Sequence, residues 1–148
     1  MAWADARTSA SIAEMPESTV RERAVSLYAH IAAIEHAWFA RFQHRTADHA
    51  QWPTWPLETA SALAASSAAG LHSIAIVAGS EGIYETITYR DRAGTECRNS
   101  LWEILMHVVL HGTYHRGQIA LLVRDGGGVP ASTDFSTYLR ERASPTTP

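Results

Sequence analysis

The sequence predicts an all-α protein, a helix bundle with a small β-ribbon inserted before its last long helix. Three observations carry this. Apolar residues recur every three or four positions through most of the chain, as on the buried face of a helix. One short stretch instead alternates and is rich in β-branched and aromatic residues. Clusters of Pro and Gly punctuate the periodic stretches where turns belong. With 148 residues the chain can form one domain with a substantial core, burying roughly two-thirds of the surface its unfolded form exposes. No internal repeat is visible.

Residues 1–13 are alanine-rich, with Trp3 and Ile12 as large apolar side chains, and read as a short helix. Met15-Pro16-Glu17-Ser18 breaks it, and Ser18 or Thr19 can cap the next helix. From 20 to about 43 the apolar residues Val20, Ala24, Leu27, Ile31, Ile34, Trp38 and Phe42 keep helical spacing with one buried face. Trp52-Pro53-Thr54-Trp55-Pro56 is a stiff aromatic turn, because each proline fixes its own φ and biases its predecessor away from helix. Residues 57–78 are again helical and Ala-rich, with Leu63, Leu71, Ile74 and Val77, so a neighbouring helix can approach closely.

Gly79-Ser80-Glu81-Gly82 ends that pattern. Residues 83–90 alternate as a strand, 91–94 turn, and 95–98 can return as a second strand. Ser100-Leu101-Trp102-Glu103 has capping-box spacing and opens a helix over 101–124, with a buried stripe of Leu101, Ile104, Leu105, Val108, Ile119 and Leu122. Gly126-Gly127-Gly128 ends it, Asp134 can cap a last short helix through Arg142, and 143–148 reads as a disordered tail.

Composition narrows the function classes. The net charge is −3, and the one dense basic pair, Arg21 and Arg23, is interrupted by Glu22. Tight nucleic-acid binding through phosphate neutralisation is not expected. No stretch approaches the roughly 20 uninterrupted apolar residues of a membrane span. The opening Met1-Ala2-Trp3-Ala4-Asp5-Ala6-Arg7 lacks a basic segment followed by an apolar one, so no secretory signal is expected. The single Cys97 cannot pair within the chain, which fits a reducing cytoplasm.

The chemistry concentrates in His111-Gly112-Thr113-Tyr114-His115 on the long helix. Residues four apart on a helix leave the same face, so two imidazole nitrogens can reach one metal ion. The same spacing also suits two half-buried, hydrogen-bonded histidines. A functional zinc site commonly keeps three protein ligands and an open position. The best third candidate is His30, amid apolar neighbours in Tyr28-Ala29-His30-Ile31-Ala32-Ala33-Ile34, although a lone histidine there is more often a core residue. The helix lacks the Glu after its first His that serves as base in zincins, which argues against a peptidase.

Four segments resemble the DinB/YfiT-like family of bacterial metal-binding bundles. His30-Ile31-Ala32-Ala33-Ile34-Glu35-His36-Ala37-Trp38-Phe39-Ala40-Arg41 is similar to its second-helix signature. Residues 101–119, ending His111-Gly112-Thr113-Tyr114-His115-Arg116-Gly117-Gln118-Ile119, resemble its long signature helix, the most specific part of the likeness. Thr88-Tyr89-Arg90-Asp91 with Gly94 resembles its hairpin. Gly128-Val129-Pro130, Asp134 and Tyr138-Leu139-Arg140-Glu141 resemble its C-terminal segment. Two departures stand out: the first helix is short, and Leu110 occupies a position where Asn is common.

The resemblance implies an antiparallel, up-down four-helix bundle, usually a homodimer, with His30, His111 and His115 holding one divalent metal. Imidazoles suit zinc and nickel, and also iron and copper. Relatives transfer low-molecular-weight thiols such as bacillithiol, or isomerise substrates with mycothiol. The function this implies is a metal-dependent thiol S-transferase acting on a small electrophile in the cytoplasm. A non-catalytic metal-binding dimer in stress response, or a metal-dependent hydrolase using bound water, are the other readings. Neither membrane nor nucleic acid is an expected partner.

Around the triad, His107 and Glu35 are candidate bases, and His107 suits packing better. Arg116 is expected to pair with Glu35 or to meet an acidic substrate. His44, Asp48 and His49 fit a solvated loop better than a second metal site. Tyr114 should point away from the histidines as a packing or interface residue. Trp38, Trp52, Trp55 and Trp102 suit the core better than a pocket mouth, and Cys97 reads as a small buried apolar residue.

Overall fold

A computed structural model describes residues 1–91 and 93–143. The elements are α1 (Ala2–Ala13), α2 (Thr19–Phe42), α3 (Leu57–Gly82), β1 (Thr86–Arg90), β2 (Glu96–Ser100), α4 (Leu101–Asp125) and α5 (Phe135–Ala143). The described chain is therefore mostly helical, with one antiparallel hairpin in register Ile87↔Asn99 and Tyr89↔Cys97. Ala143, expected in the tail, closes α5, and the rest of that tail lies outside the described residues.

The helix starts follow local chemistry. Ser18, not Thr19, caps α2: its Oγ accepts from the Arg21 amide at 3.2 Å. The expected capping box is complete at α4, where the Glu103 amide donates to Ser100 Oγ at 3.2 Å and the Ser100 amide donates to Glu103 Oε2 at 2.7 Å. β2 runs into α4 without a loop, so the hairpin register fixes where the long helix begins. At the far end the left-handed residue is Gly127, with φ of 80°.

α3 runs further than expected, to Gly82, because Gly79 (φ 67°) kinks the helix instead of ending it. The Tyr84 and Glu85 amides bond back to the Glu81 and Gly82 carbonyls, so residues expected to open the strand form a turn. By length and composition α3 could cross a membrane, and 22% of that stretch is buried. Its inward face is small, with Ala60, Ala64, Ser67, Ala68 and Leu71 buried. Those small residues let α2 approach; a methyl group at Gly70 would land in the ring of Phe39.

α2 packs along both α3 and α4, and α1 packs chiefly against α3. Two apolar clusters result. One gathers Ile12, Met15, Tyr28, Ile31, Ile119 and Val123, and the other gathers Trp38, Leu71, Ile104 and Val108 beneath the hairpin. The expected stripe of α4 is observed, except that Leu105 is only partly buried and Gly112, Arg116 and Val123 join it. α5 is fastened to α1 by Glu141, which accepts from Trp3 Nε1 at 2.9 Å and from Arg7 at 2.8 Å.

Candidate metal centre

The seam between α2 and α4 brings three histidines together. Spacing alone places His111 and His115 side by side, with ring centroids 4.6 Å apart. Packing of α2 on α4 adds His30 from 81 positions earlier, with its Nε2 3.1 Å from His111 Nε2. One ligand nitrogen from each of the three lies within 4.8 Å of the others, a group that could hold a metal ion. His30 is 5% exposed, on the buried side of α2 beside Ile31.

Hydrogen bonds set the rings for metal ligation. His30 Nδ1 lies 2.7 Å from the Gln51 carbonyl oxygen, which can only accept. The Nδ1 nitrogen therefore carries the proton and Nε2 presents a lone pair. His115 Nδ1 lies 2.7 Å from Gln118 Oε1, the same arrangement with a side-chain carbonyl. Burial, helped by neighbouring His115 and His30, pulls His111 down to about 4, and burial also lowers His30. With Nδ1 of His30 and of His115 donating to carbonyl oxygens, their Nε2 atoms are left to ligate a cation, and outer hydrogen bonds of this kind are what orient metal-bound imidazoles. The donor set fits a divalent transition metal.

Trp52 was expected in the core. Instead it is 52% exposed and lies flat on His30, with rings 3.8 Å apart and 4° from parallel. Periodicity could not place it, because it sits in the Pro-rich turn where no helical face is defined. The signal available was its position one residue after Gln51, whose carbonyl anchors His30. Trp38 and Trp55 pack in or against the core, whereas Trp102 is exposed.

His107 lies one turn before His111, with ring centroids 5.8 Å apart, and is exposed. It lines a cleft of about 250 Å³ with Trp38, Tyr89, Asn99, Glu103 and Ile104. Arg116 and Glu35 face the interior instead. Arg116 does not donate to Glu35; it pairs with Asp5 of α1 at 2.8 Å, both side chains under 5% exposed. The expected Arg116–Glu35 pair is thus corrected to Arg116–Asp5. Sequence periodicity treats Asp5 as a surface residue and cannot see that α1 turns it inward. Both Glu35 oxygens are buried without a hydrogen-bond partner among the described residues. Burial, reinforced by the neighbouring Asp5 charge, holds the Glu35 carboxyl well above its usual range despite Arg116 nearby.

The remaining residues fall outside the triad. His44 is exposed, with φ of 56°. His49 packs against His36 at 5.3 Å and against Trp55 at 5.0 Å. Tyr114 is 66% exposed, as expected of a residue off the histidine face, and Cys97 is only partly buried.

Three neutral imidazoles leave a bound ion its full charge and supply no carboxylate base. Such a centre can polarise a ligand, and the lowest-pKa ligand gains most.

The comparisons with known proteins give the family. The family model described as DinB family matches residues 2–146. The chain is 48% identical over 42 residues to Protein DinB of Bacillus subtilis (strain 168), covering 28% of this chain and 24% of that relative. The match thus spans about a quarter of the curated relative's length. No solved structure matches. With a family match over nearly its whole length, the chain belongs to the DinB family.

Proposed function

We propose that His30, His111 and His115 hold one divalent metal, zinc or nickel foremost and iron or copper by the same donor chemistry, in a metal-dependent thiol S-transferase. The observation that carries this is the convergence of three ring nitrogens within 4.8 Å, two of the rings oriented by carbonyl oxygens at 2.7 Å. We read α1 to α4 as an up-down four-helix bundle around this seam. We further propose a cytoplasmic homodimer that acts on small molecules, with no role for nucleic acid or membrane.

When bound, the ion supplies Lewis acidity that lowers the pKa of a small thiol or of water. The chain does the rest. The Gln51 carbonyl and Gln118 hold two rings in the ligating tautomer. Trp52 covers one face of the His30 ring. We assign the thiol proton to His107, which is exposed beside His111 with ring centroids 5.8 Å apart. The sulfur then bonds to the electrophilic carbon, and the leaving group departs with its electron pair. Hydrolysis is less well supported: Glu35 is buried in the core and pushed toward its protonated form, which leaves His107 as the one candidate base for a bound water.

A non-catalytic metal-binding dimer in stress response is the second reading, favoured by the absence of any carboxylate in the ligand group. The test is conjugation of a panel of small thiols with alkylating electrophiles. The zinc- and nickel-loaded protein is compared with the chelated protein and with His111→Ala. Activity lost on chelation and restored by metal supports the transferase. Activity indifferent to both perturbations overturns it, and tight metal binding without turnover favours the second reading.

A further inference from the structure

We propose that the groove beside the histidine triad is a subsite for a small carboxylate with an apolar body, its charge held by Arg23. The groove lies between α2 and α4, encloses about 450 Å³, and is lined by Arg23, Ser26, Leu27, Gln118, Leu121 and Leu122. That volume falls in the range of small-molecule sites, which pair apolar walls with a few placed polar groups. Leu27, Leu121 and Leu122 are the walls. Arg23 is the one charged residue, and it has no ion-pair or hydrogen-bond partner among the described residues. By contrast Arg21, two positions earlier, is held by Glu17 at 2.7 Å.

The groove adjoins the candidate metal centre. Gln118 lines it and also orients His115. On each helix the far end of the groove lies seven residues from a triad histidine: Arg23 from His30, and Leu122 from His115. Seven residues of helix span about 10 Å along the axis. A guanidinium prefers a carboxylate to a neutral head group. The groove is therefore a ruler that selects molecules with an anionic head at one end, a flexible apolar stem, and a reactive end about 10 Å away at the histidines. That the occupant is a substrate rests on the transferase reading; that it binds does not.

Two measurements separate these. The first is calorimetry on metal-free protein with octanoate, with octylammonium, and with octanoate against Arg23→Gln. Octanoate should bind about tenfold more tightly than octylammonium, and Arg23→Gln should erase that preference. Equal affinity for the two head groups, or an unchanged preference in Arg23→Gln, overturns the subsite. The second uses the cobalt-loaded protein with 8-mercaptooctanoate, 8-mercaptooctanol and 3-mercaptopropionate, read by the sulfur-to-cobalt charge-transfer band. The long acid should saturate at about tenfold lower concentration than the alcohol, and Arg23→Gln should close that gap. The short acid should be indifferent to Arg23. No band with any thiol, while octanoate still binds, counts against the transferase reading and leaves the subsite standing. If octanoate does not bind the wild type and Leu121→Glu converts a dimer to a monomer in sedimentation, the groove is an interface between copies and the proposal falls.

Discussion

Replacing Asp5 by Asn tests how the core beneath the triad is held. Asp5 and Arg116 are 2.8 Å apart, with side chains 3% and 4% exposed. Breaking such a pair by neutralising one partner leaves a buried charge and ordinarily costs about 3–5 kcal/mol. Here Glu35 changes the answer. Its carboxyl is buried without a hydrogen-bond partner among the described residues and is pushed toward its protonated form, by burial first and then by the Asp5 charge, while Arg116 pulls the other way. Asp5→Asn removes the repulsion and leaves the attraction, which shifts Glu35 toward ionisation and lets it take over part of the missing charge. The single variant should therefore lose only about 1–2 kcal/mol, and the same change in a Glu35→Gln background should lose the full 3–5 kcal/mol. A raised carboxyl also fixes a sign. Above the normal range the unfolded chain ionises while the native one keeps its proton, so Glu35 makes stability fall as pH rises. Burial raises Asp5 as well, so Asp5→Asn and Glu35→Gln should each flatten that slope. The assay is urea unfolding of chelated protein between about pH 5 and 8, for wild type, both single variants and the double variant. Equal costs in the two backgrounds within about 0.5 kcal/mol, or an unaltered slope, would refute the compensation.

Other expectations follow from the same structure. Gln118→Ala, which frees His115 Nδ1, should weaken zinc binding about 10–100-fold in competition with a chromophoric chelator while leaving the fold intact. Gly70→Ala drives a methyl into Phe39 and should cost about 1–2 kcal/mol by urea unfolding, because overpacking outweighs the gain in helix propensity. Metal-free protein should lose stability as pH falls from about 6.5 toward about 4. The unfolded chain takes up protons in that window, whereas burial and the neighbouring rings hold His111 down to about 4. In His111→Ala that acid-side slope should diminish, as urea midpoints at successive pH values would register.

The triad and the buried ion pair are neighbours by construction. Arg116 follows His115 directly, so one turn of α4 sends a ligand to the α2 seam and a guanidinium to α1. Gly112 is the small residue that makes room: a methyl there would strike the Arg116 guanidinium. The guanidinium therefore lies against its own helix on the way to Asp5. Helix α1 is thereby tied to the metal-bearing helix through the core, and α5 is tied in turn to α1 through Glu141.

Much of this was legible before any coordinates. Helix starts at Ser18 and Ser100, the hairpin between α3 and α4, and the shared face of His111 and His115 depend on interactions within about one turn or one strand pair. Local residue types decide such features. Apolar neighbours marked His30 as the best third candidate and the family resemblance made it a ligand; spacing alone could do neither. Only the tertiary structure decided what faces what across helices. It pairs Arg116 with Asp5, 111 positions away, in place of Glu35. It lays Trp52 on His30, strands Glu35 without a partner, and opens the groove that Arg23 and Gln118 share. Periodicity marks the face of a helix that is buried, but it carries no information about which helix covers that face or how the rigid Pro-rich turn folds back. Those outcomes come from packing volume and burial of charge, which belong to the assembled chain and not to any one segment of it.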